Sequence, residues 1–217
     1  MKIDTNTINV LKNFAKINPS ILIEEGNVIK TISPAKTIMA KAVVSTAFPN
    51  RFAIYNLDRF ISILSLFSDP ELIFGEKSVK ITDGKRTTNY AYADESTIKK
   101  SPEKDLVLPS IDASFFLSND HLKDVEKALG VLGLPELVIL GAENVIALQA
   151  ADTKNTTEDY FSIDIGETDK IFKAIFKSDN IKILPGDYQV SICSRGISHF
   201  VGKEAEYWIA VESNSEF

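Results

Sequence analysis

Residues 136–150, ELVILGAENVIALQA, read as a strand, a tight turn and a second strand, and the same plan stands much earlier in the chain. There, residues 20–33, SILIEEGNVIKTIS, place apolar runs on either side of a Gly-Asn turn, and Asn27-Val28-Ile29 matches Asn144-Val145-Ile146. Aliphatic and β-branched runs bounded by Gly and Asn mark hairpins. Two hairpins of one pattern predict an internal repeat, and a repeat governs every further reading of a chain.

The match extends outward from both hairpins. Ahead of each lies a segment with helical period, 4–17 (DTNTINVLKNFAKI) and 118–131 (SNDHLKDVEKALGV). Asp4 or Thr5, and Ser118 or Asn119, suit the N-caps. Behind the first hairpin, residues 54–74 give a strand, a helix near 58–68 and a strand. Behind the second, residues 162–190 predict the same order, with a helix over ETDKIFKAIFKS at 167–178, and Ser68-Asp69 aligns with Ser178-Asp179. Each copy closes in strands separated by turn signals such as Asp83-Gly84 and Pro185-Gly186-Asp187.

The predicted fold is therefore α+β, with two topologically similar domains, each having two helices packed on antiparallel sheets. The domains span 1–93 and 112–217. Between them, 94–111 is charged in its first half and holds Pro102 and Pro109, a composition that suits an extended connector.

Composition narrows the functional classes. Hydrophobic residues at 44% and charged residues at 25% are those of a globular protein able to bury a core. No apolar run approaches the ~20 residues of a membrane-spanning helix, and the first residues lack the unbroken apolar core of a secretory signal. Cys193 is the single cysteine, which excludes an intrachain disulfide and suits a reducing compartment.

Charge is distributed unevenly. The net charge is -6, yet on the helical wheel Lys170, Lys173 and Lys177 form one stripe opposite Ile171, Phe172, Ile175 and Phe176. Lys12 and Lys16 stand opposite Val10 and Phe14, and Lys123 and Lys127 opposite Leu122, Val125 and Leu129. Arg59 is the base of the 58–68 helix. The four predicted helices thus present eight bases, of which Asp124 and Glu126 weaken only the third helix's share. Lysine is a mobile point charge without arginine's bidentate fork, so these faces suit sequence-independent attraction to a phosphate backbone.

Enzyme signatures are missing: no phosphate-binding loop, no dinucleotide fingerprint and no nucleophile elbow. His121 and His199 lack neighbouring ligands at metal spacing, so neither a metal nor a cofactor is expected. Cys193 alternates within YQVSICS as a buried strand thiol, and Tyr207 and Trp208 read as strand residues with one facing the core. Two rivals to a DNA-facing protein remain: a non-enzymatic protein-interaction scaffold that does not encircle DNA, and an enzyme built from scattered carboxylates.

Five stretches taken together, LKNFAKIN at 11–18, EEGNVIKT at 24–31, AIYNLDRFISILSLFSD at 53–69, LPGDYQVSICSRG at 184–196 and YWIAVESNSEF at 207–217, closely resemble the sliding clamps of T-even-type bacteriophages. The resemblance covers most of the chain and is poorest in the connector and in DTKNTTEDY at 152–160. It implies the DNA clamp fold and a head-to-tail homotrimeric ring around duplex DNA. Such a ring tethers the replicative DNA polymerase, confers processivity and performs no chemistry. It further implies an ATP-dependent clamp loader, a role with late transcription factors and a place in the cytoplasm of the infected bacterial host. The eight bases would line the ring. Family partners dock through partly apolar terminal peptides, for which Leu106, Val107, Leu108 and Pro109 are the candidate seat; the alternative is that these four begin the first strand of the second domain.

Overall fold

A computed structural model describes residues 1–155 and 159–217, so part of the 152–160 loop lies outside the described residues. The chain divides into two compact units, Met1–Glu103 and Lys104–Phe217.

The first unit opens with α1 (Thr5–Ile17), capped by Asp4, whose carboxylate accepts from the Thr7 amide. β1 (Ile21–Ile23), β2 (Gly26–Ile32), β3 (Ile38–Phe48) and β4 (Phe52–Ile54) follow, then α2 (Leu57–Leu64) and the three-stranded meander β5 (Glu71–Phe74), β6 (Ser78–Thr82), β7 (Thr87–Ala91). α1 lies against α2, β2 and β3. Its buried stripe of Val10, Leu11 and Phe14 meets a core that includes Ile29, Phe48, Phe60 and Ile61. The 20–33 segment is not a hydrogen-bonded hairpin: β1 pairs with β4 and β2 with β3. The chain breaks at the exposed Glu24-Glu25, Glu24 reaches Arg51 at 3.5 Å, and Gly26 takes a φ of 104°.

The second unit holds β8 (Ala113–Leu117), α3 (Asn119–Leu132), β9 (Glu136–Ala142), β10 (Val145–Ala151), β11 (Phe161–Glu167), β12 (Phe172–Lys177), β13 (Tyr188–Cys193), β14 (Ile197–Gly202) and β15 (Glu206–Ala210). Its antiparallel sheets run β11-β10-β9-β12 and β15-β14-β13-β8. Here 136–150 is a true hairpin, turning through Glu143 and Asn144 at φ 51° and 65° so that Ala142 pairs with Val145. Positive φ at both turn residues matches the twist of the flanking strands. Tyr207 and Trp208 are both buried, where one was expected to be, because both faces of β15 are covered.

The repeat holds in three dimensions. α1 and α3 precede equivalent strands, and the outer pairs β2–β3 and β10–β11, β1–β4 and β9–β12 correspond. Even the crossings after the last strands match: Ala93 donates to Ala53 of β4, and Glu212 donates to Ile175 of β12.

One helix is missing from the second copy. Residues 172–177, predicted within a helix, are β12, and α2's place in chain order is taken by a single 3-10 turn at Ser178–Asn180. Among the described residues the chain therefore has three α-helices, two in the first unit and one in the second.

Candidate nucleic-acid interface

α1 forms because its apolar positions recur on one face and Asp4 satisfies the open amide of Thr7. Burial pushes the Asp4 carboxyl pKa up, but hydrogen bonds from Thr46 and Thr7 outweigh it and hold the group well below the ordinary carboxylate value. On the opposite face Lys12 and Lys16 are exposed, beside Thr5 and Asn9. α2 is capped by Asn56, which accepts from the Arg59 amide; it buries Leu57, Phe60, Ile61 and Leu64 and leaves Arg59 exposed.

α3 is capped by Ser118 and ended by Gly133 at φ 66°, the left-handed conformation that glycine adopts without strain. Leu122, Val125 and Leu129 are buried, and Lys123 and Lys127 are exposed, with the Lys123 ammonium 3.8 Å from Asp120.

Lys170, Lys173 and Lys177 do not form a helical stripe. Lys170 precedes β12 and donates to the Asp112 carbonyl at 2.6 Å. In β12, Lys173 and Lys177 share a face with Ile175, because side chains alternate along a strand. Cross-strand pairing extends this face through Leu140, Val138 and Glu136 to Ala147 and Gln149, then to the exposed Asp164 and Ser162. The opposite face carries Ala174, Phe176, Ile139, Leu148 and Ala150, all without exposed surface. α3 lies against β9, β10 and β11 and covers that buried face. Lys173 and Lys177 therefore stand on the side of the sheet away from Lys123 and Lys127. Lys177 pairs with Glu212 at 3.6 Å, and the Lys173 backbone bonds to Glu216. Aromatic and β-branched residues under two-sided burial favour strand here. A short apolar run cannot be assigned from its period alone.

Leu106, Val107, Leu108 and Pro109 lie ahead of β8 and outside any strand, so they do not begin the second unit's first strand. Val107 is 84% exposed. After them the chain is pinned: Asp112 donates its amide to Ile192 and accepts from the Ser194 amide, a bond that heads the causes lowering its pKa, with Ser110 second.

His121 and His199 belong to separate surroundings, His199 stacking on Trp208 at 4.4 Å and meeting Glu206 at 3.0 Å. No grouping of three or more His, Cys, Asp or Glu able to hold a metal stands among the described residues, and no helix there is long and apolar enough to cross a membrane.

One feature escaped the sequence reading. Ala128, Val131 and Leu132 of α3 and Phe161 and Ile163 of β11 line an open groove of about 600 Å³, and Val131 is 75% exposed. Its signal was legible, since Val131 falls on the polar side of α3, turned away from Leu122 and Leu129.

Comparison with known proteins agrees with this architecture. A model described as DNA polymerase processivity factor matches residues 3–100, and one described as gp45 sliding clamp, C terminal, matches 114–213. The sliding clamp of Vibrio phage KVP40 is 38% identical over 98% of this chain and all of that protein. That of Enterobacteria phage T4 is 29% identical over 99% of this chain and 98% of that protein. Among solved structures, the A. fulgidus PCNA bound to the C-terminal region of FEN-1 superposes with a TM-score of 0.71 at 16% identity, covering 96% of each chain. The fold is the DNA clamp fold, and the chain belongs to the bacteriophage sliding-clamp family of DNA polymerase processivity factors.

Proposed function

We propose that three copies of the chain close head to tail into a ring around duplex DNA and hold the replicative polymerase on its template, with no chemistry of their own. The observation that carries this reading is a pair of unfinished sheet edges. β7 ends the three-stranded sheet of the first unit and β11 ends a sheet of the second, and neither strand contains a buried residue. An open edge with unpaired backbone groups invites another strand. Two different edges on one chain suit a heterologous contact, which makes a closed ring when its rotation returns to the start. Val131 and Leu132 at the end of α3, with Phe161 and Ile163 of β11, supply that contact with apolar surface to bury.

In this ring 1–93 and 112–217 are the clamp domains and 94–111 the connector. Lys12, Lys16, Arg59, Lys123 and Lys127 face the DNA; Lys173 and Lys177 leave that set because β12 carries them on the side of its sheet away from α3, and Lys170 because its ammonium is engaged by the Asp112 carbonyl. A ring that cannot fall off keeps a released polymerase at high effective concentration beside its template. An ATP-dependent loader opens the ring, and partners, late transcription factors among them, dock by terminal peptides at Leu106, Val107, Leu108 and Pro109. The peptide of FEN-1 on the A. fulgidus clamp supports that mode. The site of action is the cytoplasm of the infected bacterial host.

The test is mass by light scattering from micromolar concentration downward, followed by polymerase extension on circular and linear templates. A species near three times 24.0 kDa, roughly 72 kDa, with processivity retained on circles and lost from open ends, is the expected result. A single-chain mass in the presence of DNA and loader, with no gain in processivity, favours the scaffold reading.

A further inference from the structure

The bases are shared unequally between the two units. On α1 the outermost positions are Thr5, Asn9, Lys12 and Lys16, all exposed, and no acid occurs from Thr5 to Ile17. Asp4, at its start, turns its carboxylate to Thr7 and Thr46. On α2, Asp58 and Arg59 offset each other.

α3 is different. Its outermost positions are Asp120, Lys123, Asp124, Lys127 and Val131, so two lysines meet two aspartates on one face, and Glu126 is exposed on its flank. Lys123 lies 3.8 Å from Asp120, and Asp124 lines the same groove as Lys127. Screening confines each charge to about 8–10 Å at cellular salt, so these acids act on the same phosphates as the lysines beside them. The remaining candidate bases of the second unit stand on or beside β12 and contribute nothing to this face.

We infer that duplex DNA is carried by α1 of the first unit, through Lys12 and Lys16, and that α3 is a near-neutral wall along which DNA passes without being held. The inference rests on the ring reading. Each subunit of the ring then offers the duplex one attractive helix and one near-neutral helix, and the duplex moves among shallow contacts of a single kind.

The experiment compares three variants of the full chain by the salt dependence of binding to circular duplex and by ring mass. K12A/K16A is expected to weaken binding about tenfold at low salt and to flatten the log–log salt slope by about two for each subunit in contact, since each phosphate contact contributes about 0.9. K123A/K127A is expected to stay within about twofold of the parent, the lysines' loss being muted by Asp120 and Asp124. D120N/D124N is expected to tighten binding and steepen the slope, because it frees the α3 lysines. Equal losses in the two lysine variants, or no response to D120N/D124N, overturn the assignment. Failure of the ring reading looks different: mass stays at one chain, and no variant alters processivity on circles.

Discussion

The backbones of Lys173 and Glu216 exchange two hydrogen bonds, of 2.8 and 2.9 Å, which lay residues 212–217 along the outer edge of β12. Phe217 stacks on Phe172 at 6.4 Å with planes 7° apart, and the Ile175 amide donates to the Ser215 hydroxyl at 2.9 Å. Deleting residues 213–217 removes these bonds and uncovers a strand edge. At about 1 kcal/mol for each backbone bond, the loss is about 2 kcal/mol, or a melting point lower by roughly 5 °C for a chain of this size. Calorimetry reads the shift, and light scattering of the heated sample reads the aggregation that an open edge promotes.

Val131 is a surface residue of the single chain, so V131D leaves subunit melting within about 0.5 kcal/mol of the parent, as surface changes generally do. If the groove beside β11 is a subunit contact, the same change places a charge in a buried interface. Mass near 72 kDa then falls to that of one chain, while circular dichroism is unchanged.

The triple variant K170A/K173A/K177A separates the strand from the helix that the wheel suggested. Lys170, just ahead of β12, donates to the Asp112 carbonyl, Lys177 on β12 pairs with Glu212, and the Lys173 backbone is bound to that of Glu216. The salt slope of DNA binding should match that of the parent. A slope reduced as much as in K12A/K16A would return these bases to the DNA-facing set.

Asp4 ties the start of α1 to β3 through Thr46. Replacing it with Ala costs about 1 kcal/mol, the usual value of a lost N-cap. The pH sign follows from its lowered pKa. A folded-state value below the ordinary 3.8 means that the ionised form is preferred in the native state. The stabilisation is complete above that ordinary value and is lost as pH falls toward the folded value. The difference in unfolding free energy between parent and D4N is expected to be constant from pH 7 to pH 5 and to shrink below about 3.8. Urea melts at pH 7, 5 and 3 measure it.

Val107 offers the most exposed apolar side chain of the 106–109 stretch. V107D is expected to leave ring mass and DNA affinity unchanged and to reduce polymerase stimulation at least about tenfold, the effect of placing a charge at the anchor of a peptide seat. Loss of ring mass instead would assign Val107 to assembly.

The repeat, α1, α3 and most turns were readable because each is specified locally: an apolar period, a capping side chain, a residue with positive φ. Asp4 and Ser118, left open against Thr5 and Asn119, are settled by the amides of Thr7 and His121, which donate to their side chains. FKAIFK was not readable. Its lysines fit one side of a helix, yet they also alternate with apolar residues, and only β9 on one edge and Glu216 on the other decide between the two. The 20–33 hairpin failed for a related reason, since β1 finds its partner in β4, across the intervening pair. Tyr207 and Trp208 show the same limit: alternation predicts opposite faces but not that both are covered. Leu106, Val107, Leu108 and Pro109 carry no period at all, so only three dimensions separate them from β8.

Cys193 is the sole thiol of the chain and has no exposed surface. The native background is thus silent to maleimide dyes under folding conditions. A cysteine introduced at Tyr55 or Tyr160, both exposed, would be the one position to take a fluorophore. Opening of an assembled ring could then be followed as energy transfer between labelled copies, one molecule at a time, with no residue of the native core replaced.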